Sequence, residues 1–126
     1  MCGVSLNDEL NKAKSEQANG SIYVLTNPAM PGIVKIGFTT GEVETRMAEL
    51  DRTSTPAPFV CYYAGFVENV ALQEQRIHAI FADRRVRPQR EFFTVSPEQA
   101  KAAIELVAIR DVTPTLPEPE DNVKPN

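Results

Sequence analysis

Apolar positions fall into two rhythms along this chain. Ser21 to Thr26 (SIYVLT) and Ile33 to Phe38 (IVKIGF) are β-branched and aromatic runs, which predicts two strands. Asn27-Pro28 and Pro31-Gly32 punctuate the link between them, and its shortness favours an antiparallel hairpin. From Glu42 the rhythm turns helical: Val43, Met47 and Leu50 share one side, and acids occupy the first turn. A Ser/Thr/Pro loop over 53–58 ends that helix. Phe59 to Val67 (FVCYYAGFV) is nearly all apolar and aromatic, which predicts a central strand buried on both faces.

A longer helix is predicted from Glu68, with Leu72, Ile77, Ile80 and Phe81 as its apolar side. Arg84 to Arg90 reads as a basic loop and Glu91 to Val95 (EFFTV) as a short strand. Ser96-Pro97-Glu98 has the form of an N-cap with proline at the first helical position. The last helix, 97–109, would bury Ala100, Ala103, Ile104 and Val107. The order β-β-α-β-α-β-α predicts an α/β domain of the α+β kind: a small antiparallel sheet of three to four strands flanked by helices.

This domain is placed at 20–110. Residues 1–19 are a polar leader or short helix, with weak spacing at Leu6, Leu10 and Ala13. Residues 111–126 form an acidic tail rich in proline, with too little apolar surface to offset the entropy of ordering, and are expected to be disordered. A chain of 126 residues fits one domain able to bury a core. No apolar run approaches the roughly 20 residues that cross a bilayer, and no basic-then-apolar start marks a secretory signal. Cys2 and Cys61 lack metal-site or redox spacing and read as inert thiols, which fits a cytoplasmic setting.

The net charge of −4 looks wrong for a polyanion partner, but the excess acid lies at the ends. Asp8, Glu9 and Glu16 outnumber Lys12 and Lys14; Asp111, Glu118, Glu120 and Asp121 outnumber Lys124; the stretch between is balanced. Within it, Arg84, Arg85, Arg87 and Arg90 crowd into seven positions, a local patch able to hold phosphate.

Gly20-Ser21-Ile22-Tyr23 followed by Val34-Lys35-Ile36-Gly37 resembles the two motifs of the GIY-YIG nuclease superfamily. Arg46 stands nine positions beyond Gly37, where that family has its arginine, and Glu74 stands where it has its metal-binding glutamate. The segments VKIGFTT, EQRIH and Arg90-Glu91-Phe92-Phe93 look like its phage-type DNA-binding branch, also called the meiotically up-regulated gene type. The resemblance covers roughly residues 20–105. Three features depart from the superfamily pattern. The first glycine stands one place early, Lys35 replaces the second tyrosine, and Glu91 stands near the position of a late asparagine.

The resemblance implies a divalent-metal-dependent endonuclease acting on DNA, with Mg²⁺ or Mn²⁺ as cofactor and no small organic cofactor. Tyr23 is then the proton acceptor for the attacking water. A phenol titrates near pH 10 and needs cationic company to act near neutrality, which Lys35 could supply by lowering that pKa or relaying the proton. Either of the two could be the base. Read without the family, Tyr23 is an ordinary sheet aromatic. Arg46 lies off the apolar stripe of its helix and is a candidate phosphate clamp, or a pair for Glu42 or Glu49.

Glu74 and His78 are four apart and share one helical face. Glu74 is the candidate metal ligand; a lone carboxylate suits Mg²⁺, which keeps most of its waters. One histidine and two distant cysteines exclude a tetrahedral zinc set. His78 could protonate a phosphate oxygen or simply bond Glu74. Glu91 and Gly37 are candidate supports of the site, Glu91 with an alternative pairing to Arg90. The four arginines are candidates for backbone-phosphate contact, which gives affinity without base readout. Two other readings use the same domain: a DNA-binding module that does not cut, and a protein-interaction domain. A homodimer or an accessory specificity protein is left open.

Overall fold

The computed structural model of the protein describes residues 18–51, 57–86 and 91–115. The elements run β1 (Gly20–Thr26), β2 (Val34–Thr39), α1 (Val43–Asp51), β3 (Val60–Val67), α2 (Val70–Ile80), a 3₁₀ turn at Ala82–Arg84, β4 (Phe92–Phe93), α3 (Pro97–Glu105) and β5 (Arg110–Asp111). The strands form one open antiparallel sheet in the order β4-β2-β1-β3-β5.

The mixed α/β class and the antiparallel hairpin agree with the sequence pattern, while the sheet has five strands rather than three or four. The fifth straddles the expected boundary, with Arg110 at the end of the expected domain and Asp111 at the start of the expected tail. Arg110 and Asp111 pair with Phe66 and Gly65, the Val112 amide donates to the Ala64 carbonyl, and the Thr113 hydroxyl accepts from the Ala64 amide. Main-chain hydrogen bonds hold this stretch, so its polar side chains gave no warning of order. The rest of the expected tail, from residue 116, and the leader up to residue 17 lie outside the described residues.

The central strand is β1, not β3. Every residue from Gly20 to Leu25 is buried, whereas Val60 and Tyr62 of β3 are 45% and 39% exposed. The alternation of β1 builds two cores. Ile22 and Val24 face one side, with Val34, Ile36, Val67, Val70, Ile77, Phe93 and Ile104, beneath α2 and α3. Tyr23 and Leu25 face the other, with Val43, Phe59 and Ala64, beneath α1.

The predicted start of α3 is present in full. The Ser96 hydroxyl accepts from the Gln99 amide at 3.1 Å, Gln99 reaches back to the Ser96 amide, and Pro97 opens the helix. That helix ends at Glu105, four residues short of the predicted span. α2 starts at Val70 rather than Glu68, because Asn69 takes the left-handed conformation, φ 53°.

Candidate functional site

Strand pairing sets Tyr23 directly opposite Gly37 on the α1 face. A β-carbon at Gly37 would lie 2.7 Å from the Tyr23 hydroxyl and 2.9 Å from its ring, so the phenol lies across β2 in space that only glycine leaves free. The ring is 1% exposed and packs in the smaller core. Its hydroxyl accepts a hydrogen bond from Arg46 Nε at 3.4 Å, one turn inside α1 between Val43 and Met47. A terminal nitrogen of the same guanidinium donates to Glu49 at 3.1 Å. Of the alternatives for Arg46, the pair with Glu49 is present, and the contact with the phenol is an addition that the sequence did not suggest.

Burial raises the Tyr23 pKa above its ordinary value; the hydrogen bond and charge of Arg46 oppose it, and the charges of Glu91 and Glu74 add to the rise. Lys35 does not supply the phenol's cationic neighbour. Its ammonium donates to Glu91 at 2.9 Å and stands 4.9 Å above the Phe92 ring. Lys35 has Leu25 as its partner on β1, two residues from Tyr23, and the long lysine stem turns toward the β4 side. Glu91 thus pairs with Lys35; Arg90, its alternative partner, lies outside the described residues.

Glu74 and His78 come from α2, on the opposite face of the sheet from Arg46. They reach the same neighbourhood at the edge of β2. β4 pairs only with Val34 and Lys35, so β2 runs on beyond it without a strand neighbour there among the described residues. Just past β4 the buried Ile36 donates its amide to the Glu91 carbonyl at 2.9 Å, and its carbonyl is met by His78 Nε2 at 2.9 Å. A carbonyl can only accept, so Nε2 carries the proton and donates. The imidazole also lies 4.9 Å from the Phe93 ring centre.

Glu74 Oε2 is 3.3 Å from His78 Nε2, and both side chains are nearly covered, 12% and 13% exposed. Burial, with the nearby Glu91 charge, pushes the Glu74 carboxyl up to about 7, against the pull of Arg85 and Lys35. Burial lowers the His78 pKa, reinforced by Arg85 and Lys35. Near neutral pH the imidazole is therefore neutral, and the 3.3 Å approach of Glu74 to Nε2 is a polar contact beside the hydrogen bond to Ile36 rather than an ion pair.

The arginine patch divides. Arg84 is exposed and donates to the Thr94 carbonyl at 3.1 Å. Arg85 turns inward, its guanidinium 5.4 Å above the Phe93 ring, and its charge acts on both Glu74 and His78. Arg87 and Arg90 lie outside the described residues. Sequence reasoning missed this inward turn and the two rings that seat the cations. The adjacency Phe92-Phe93 was the available signal, since neighbouring strand residues face opposite sides.

No group of three or more His, Cys, Asp or Glu able to hold a metal occurs among the described residues. A single carboxylate, Glu74, suits at most a hard divalent cation that keeps most of its waters, with Glu91 near enough for its charge to act on Glu74. The nearly covered Glu74 carboxyl, its pKa further raised by Glu91, is a group that such a cation would stabilise as the anion.

Fold and site together define a small α+β domain with a charged cluster gathered at the free edge of its sheet. The chain belongs to the T5orf172 domain family, whose model matches residues 20–108. This family carries a DNA-binding or nuclease-related role. The match corrects the GIY-YIG resemblance and the branch read within it: the model that fits is that of the T5orf172 domain. The departures at Ser21, Lys35 and Glu91 fall in the quoted motifs, and triplets of strand-forming residues with glycine recur wherever a sheet needs a close approach.

The chain is also similar to the uncharacterized protein YeeC of Bacillus subtilis (strain 168), 30% identical over 121 residues. That similarity covers 79% of this chain and 32% of YeeC, so the chain spans about a third of the length of that relative. No solved structure matches. Among the described residues, no helix is long and apolar enough to cross a membrane.

Proposed function

We propose that this domain hydrolyses DNA phosphodiester bonds at the free edge of β2, with Mg²⁺ or Mn²⁺ as cofactor. The observation that carries the reading is the contact of a buried phenol, seated over Gly37, with the Arg46 guanidinium, the phenol lying within the charge field of Glu74 and Glu91. Cutting a phosphodiester needs a proton acceptor for water and positive charge for the phosphoryl oxygens.

Arg46 provides that charge. A phosphate takes the exposed side of the guanidinium from Glu49 while Nε stays on the phenol oxygen, which keeps the charge that opposes the raised phenol pKa. Tyr23 acts as its phenolate, having given its own proton to solvent: Oη takes a proton from the water, the resulting hydroxide oxygen bonds to phosphorus, and the bond from phosphorus to the leaving sugar oxygen breaks, that oxygen taking a proton from solvent. Burial disfavours the phenolate most, and the charges of Glu91 and Glu74 add to it, so a cation that neutralises the carboxylates removes part of the obstacle. Glu74 would hold the divalent ion, which supplies Lewis-acid stabilisation of charge on the leaving oxygen. His78, fixed by the Ile36 carbonyl, keeps Glu74 oriented. Incubation of supercoiled plasmid, single-stranded and branched DNA with Mg²⁺ or Mn²⁺ tests this directly: nicked or linear product is expected, and intact DNA in every case refutes it.

One observation favours a non-cleaving DNA-binding module instead. The phenol is shut off from solvent and its pKa lies above the ordinary value, both unfavourable to a base. On that reading DNA binds with steep salt dependence and no product forms in metal.

A further inference from the structure

Two adjacent arginines, alike in sequence, have opposite surroundings. Arg84 is exposed and tied to the Thr94 carbonyl. Arg85 is partly buried, and among the described residues its Nε is a buried donor with no acceptor. The segment around it is held firmly. The Arg85 amide donates to Ala82, Arg85 bridges to Phe93, and the Val86 amide donates to the Phe92 carbonyl at 2.7 Å. The carboxylates whose charge reaches this corner are already engaged, Glu74 with His78 and Glu91 with Lys35. A guanidinium N–H left without an acceptor is costly, and an incoming anion relieves that cost.

We propose that Arg85 is a phosphate-holding residue of the site, distinct from the surface patch around it, whose Nε–H and a terminal N–H take two oxygens of one nucleic-acid phosphate. This rests on the reading that the edge of β2 receives a phosphodiester. Phosphate fits the fork bidentately, as a lone halide or a carbonyl does not. The fork leaves the Phe93 ring by side-chain rotation, while the backbone on either side stays fixed by its hydrogen bonds. In the free protein the ring seats the cation; in the complex the phosphate does.

The test is binding of a fluorescently labelled 20-base-pair duplex in EDTA, followed across salt concentrations. Arg85→Met keeps the apolar stem on Phe93 and removes the charge. It is expected to weaken binding about tenfold or more and to reduce the slope of log affinity against log salt by about one. Arg85→Lys keeps the charge and is expected to retain the wild-type slope. A wild-type slope in Arg85→Met overturns the proposal. If that variant does not fold, the wild-type protein alone decides. The Arg85 Nε–H resonance, assigned by its loss in Arg85→Lys, is expected to shift on adding the duplex, and a static resonance overturns the proposal. Wild-type binding without cutting in Mg²⁺ refutes the hydrolytic reading and leaves Arg85 standing. Cutting with an unchanged slope in Arg85→Met does the reverse.

Discussion

On one side of β1, Ile22 and Val24 enter a dry core closed by α2 and α3. On the other, Tyr23 enters a smaller core whose outermost atom is a hydroxyl held by Arg46. Consecutive residues of a single strand thus serve different ends, because a pleated strand turns alternate side chains to opposite faces. The larger side carries stability. The smaller side uses apolar packing to aim one polar atom at the sheet edge, and so loses little stability when that atom is removed.

The sharpest way to break this contrast is to exchange the roles of neighbours. Tyr23→Phe is expected to lower DNA cutting by about 10²–10⁴-fold, the range of a lost proton-transfer group. Stability should change by no more than about 1 kcal/mol, since one long hydrogen bond is lost. Plasmid nicking rates and urea unfolding of the same preparation check both halves. Retained cutting in Tyr23→Phe removes the phenol from the chemistry.

Next in size is Ile22→Ala, which should cost about 2–5 kcal/mol of stability through the cavity it leaves. Nicking per folded molecule should stay near wild type at low temperature. If cutting falls as far as in Tyr23→Phe, the two faces are not separable, and the contrast fails.

Gly37→Ala attacks the boundary between the faces. Its methyl would overlap a phenol ring that is itself packed, so something must shift, at about 1–3 kcal/mol. Nicking should fall together with the melting temperature, because the displaced ring leaves Arg46. Gly41→Ala is the control, since its β-carbon would meet only Thr39 Oγ1 at 3.8 Å. Equal behaviour of the two alanine variants would show that the phenol does not depend on the space above Gly37.

Which of these parts could be read from the sequence follows the same physics. β1 and β2 are legible because β-branched alternation repeats over six residues or more. β3 misled because its residues are apolar in type, while the position of a strand within a sheet depends on its neighbours, and Val60 and Tyr62 stay open. β4 and β5 are two residues long and hold no period to detect. In the site, helical spacing sufficed for Glu74 with His78, since that geometry is local. The partners of Lys35 and Arg85 depend on where the turn before β4 delivers Glu91 and Phe93, a long-range matter that spacing does not encode. Family motifs named the residues Tyr23, Arg46 and Glu74 but pointed to the wrong family.

The smallest effect concerns the pH dependence of the site's own stability. The Glu74 carboxyl is pushed from 4.5 up to about 7 by burial and by Glu91. The folded protein therefore holds a proton there that the unfolded chain has released between those two values. Stability contributed by the protonated acid is complete below about pH 4.5, falls as pH rises, and is lost by about pH 7. His78 works oppositely. Its lowered pKa makes the folded protein release a proton earlier, so its contribution grows as pH rises toward 6.5. The two partly cancel in the wild type, and Glu74→Gln separates them. In metal-free buffer that variant should gain about 1–2 kcal/mol over wild type at pH 8, and nothing at pH 4. Added Mg²⁺ should narrow the gap at pH 8 by stabilising the ionised wild-type carboxylate alone. A gap unchanged by pH would mean that Glu74 titrates in the folded protein as it does in the unfolded chain and sits in water, and the free edge of β2 would then lack the desolvated carboxyl that makes it a site.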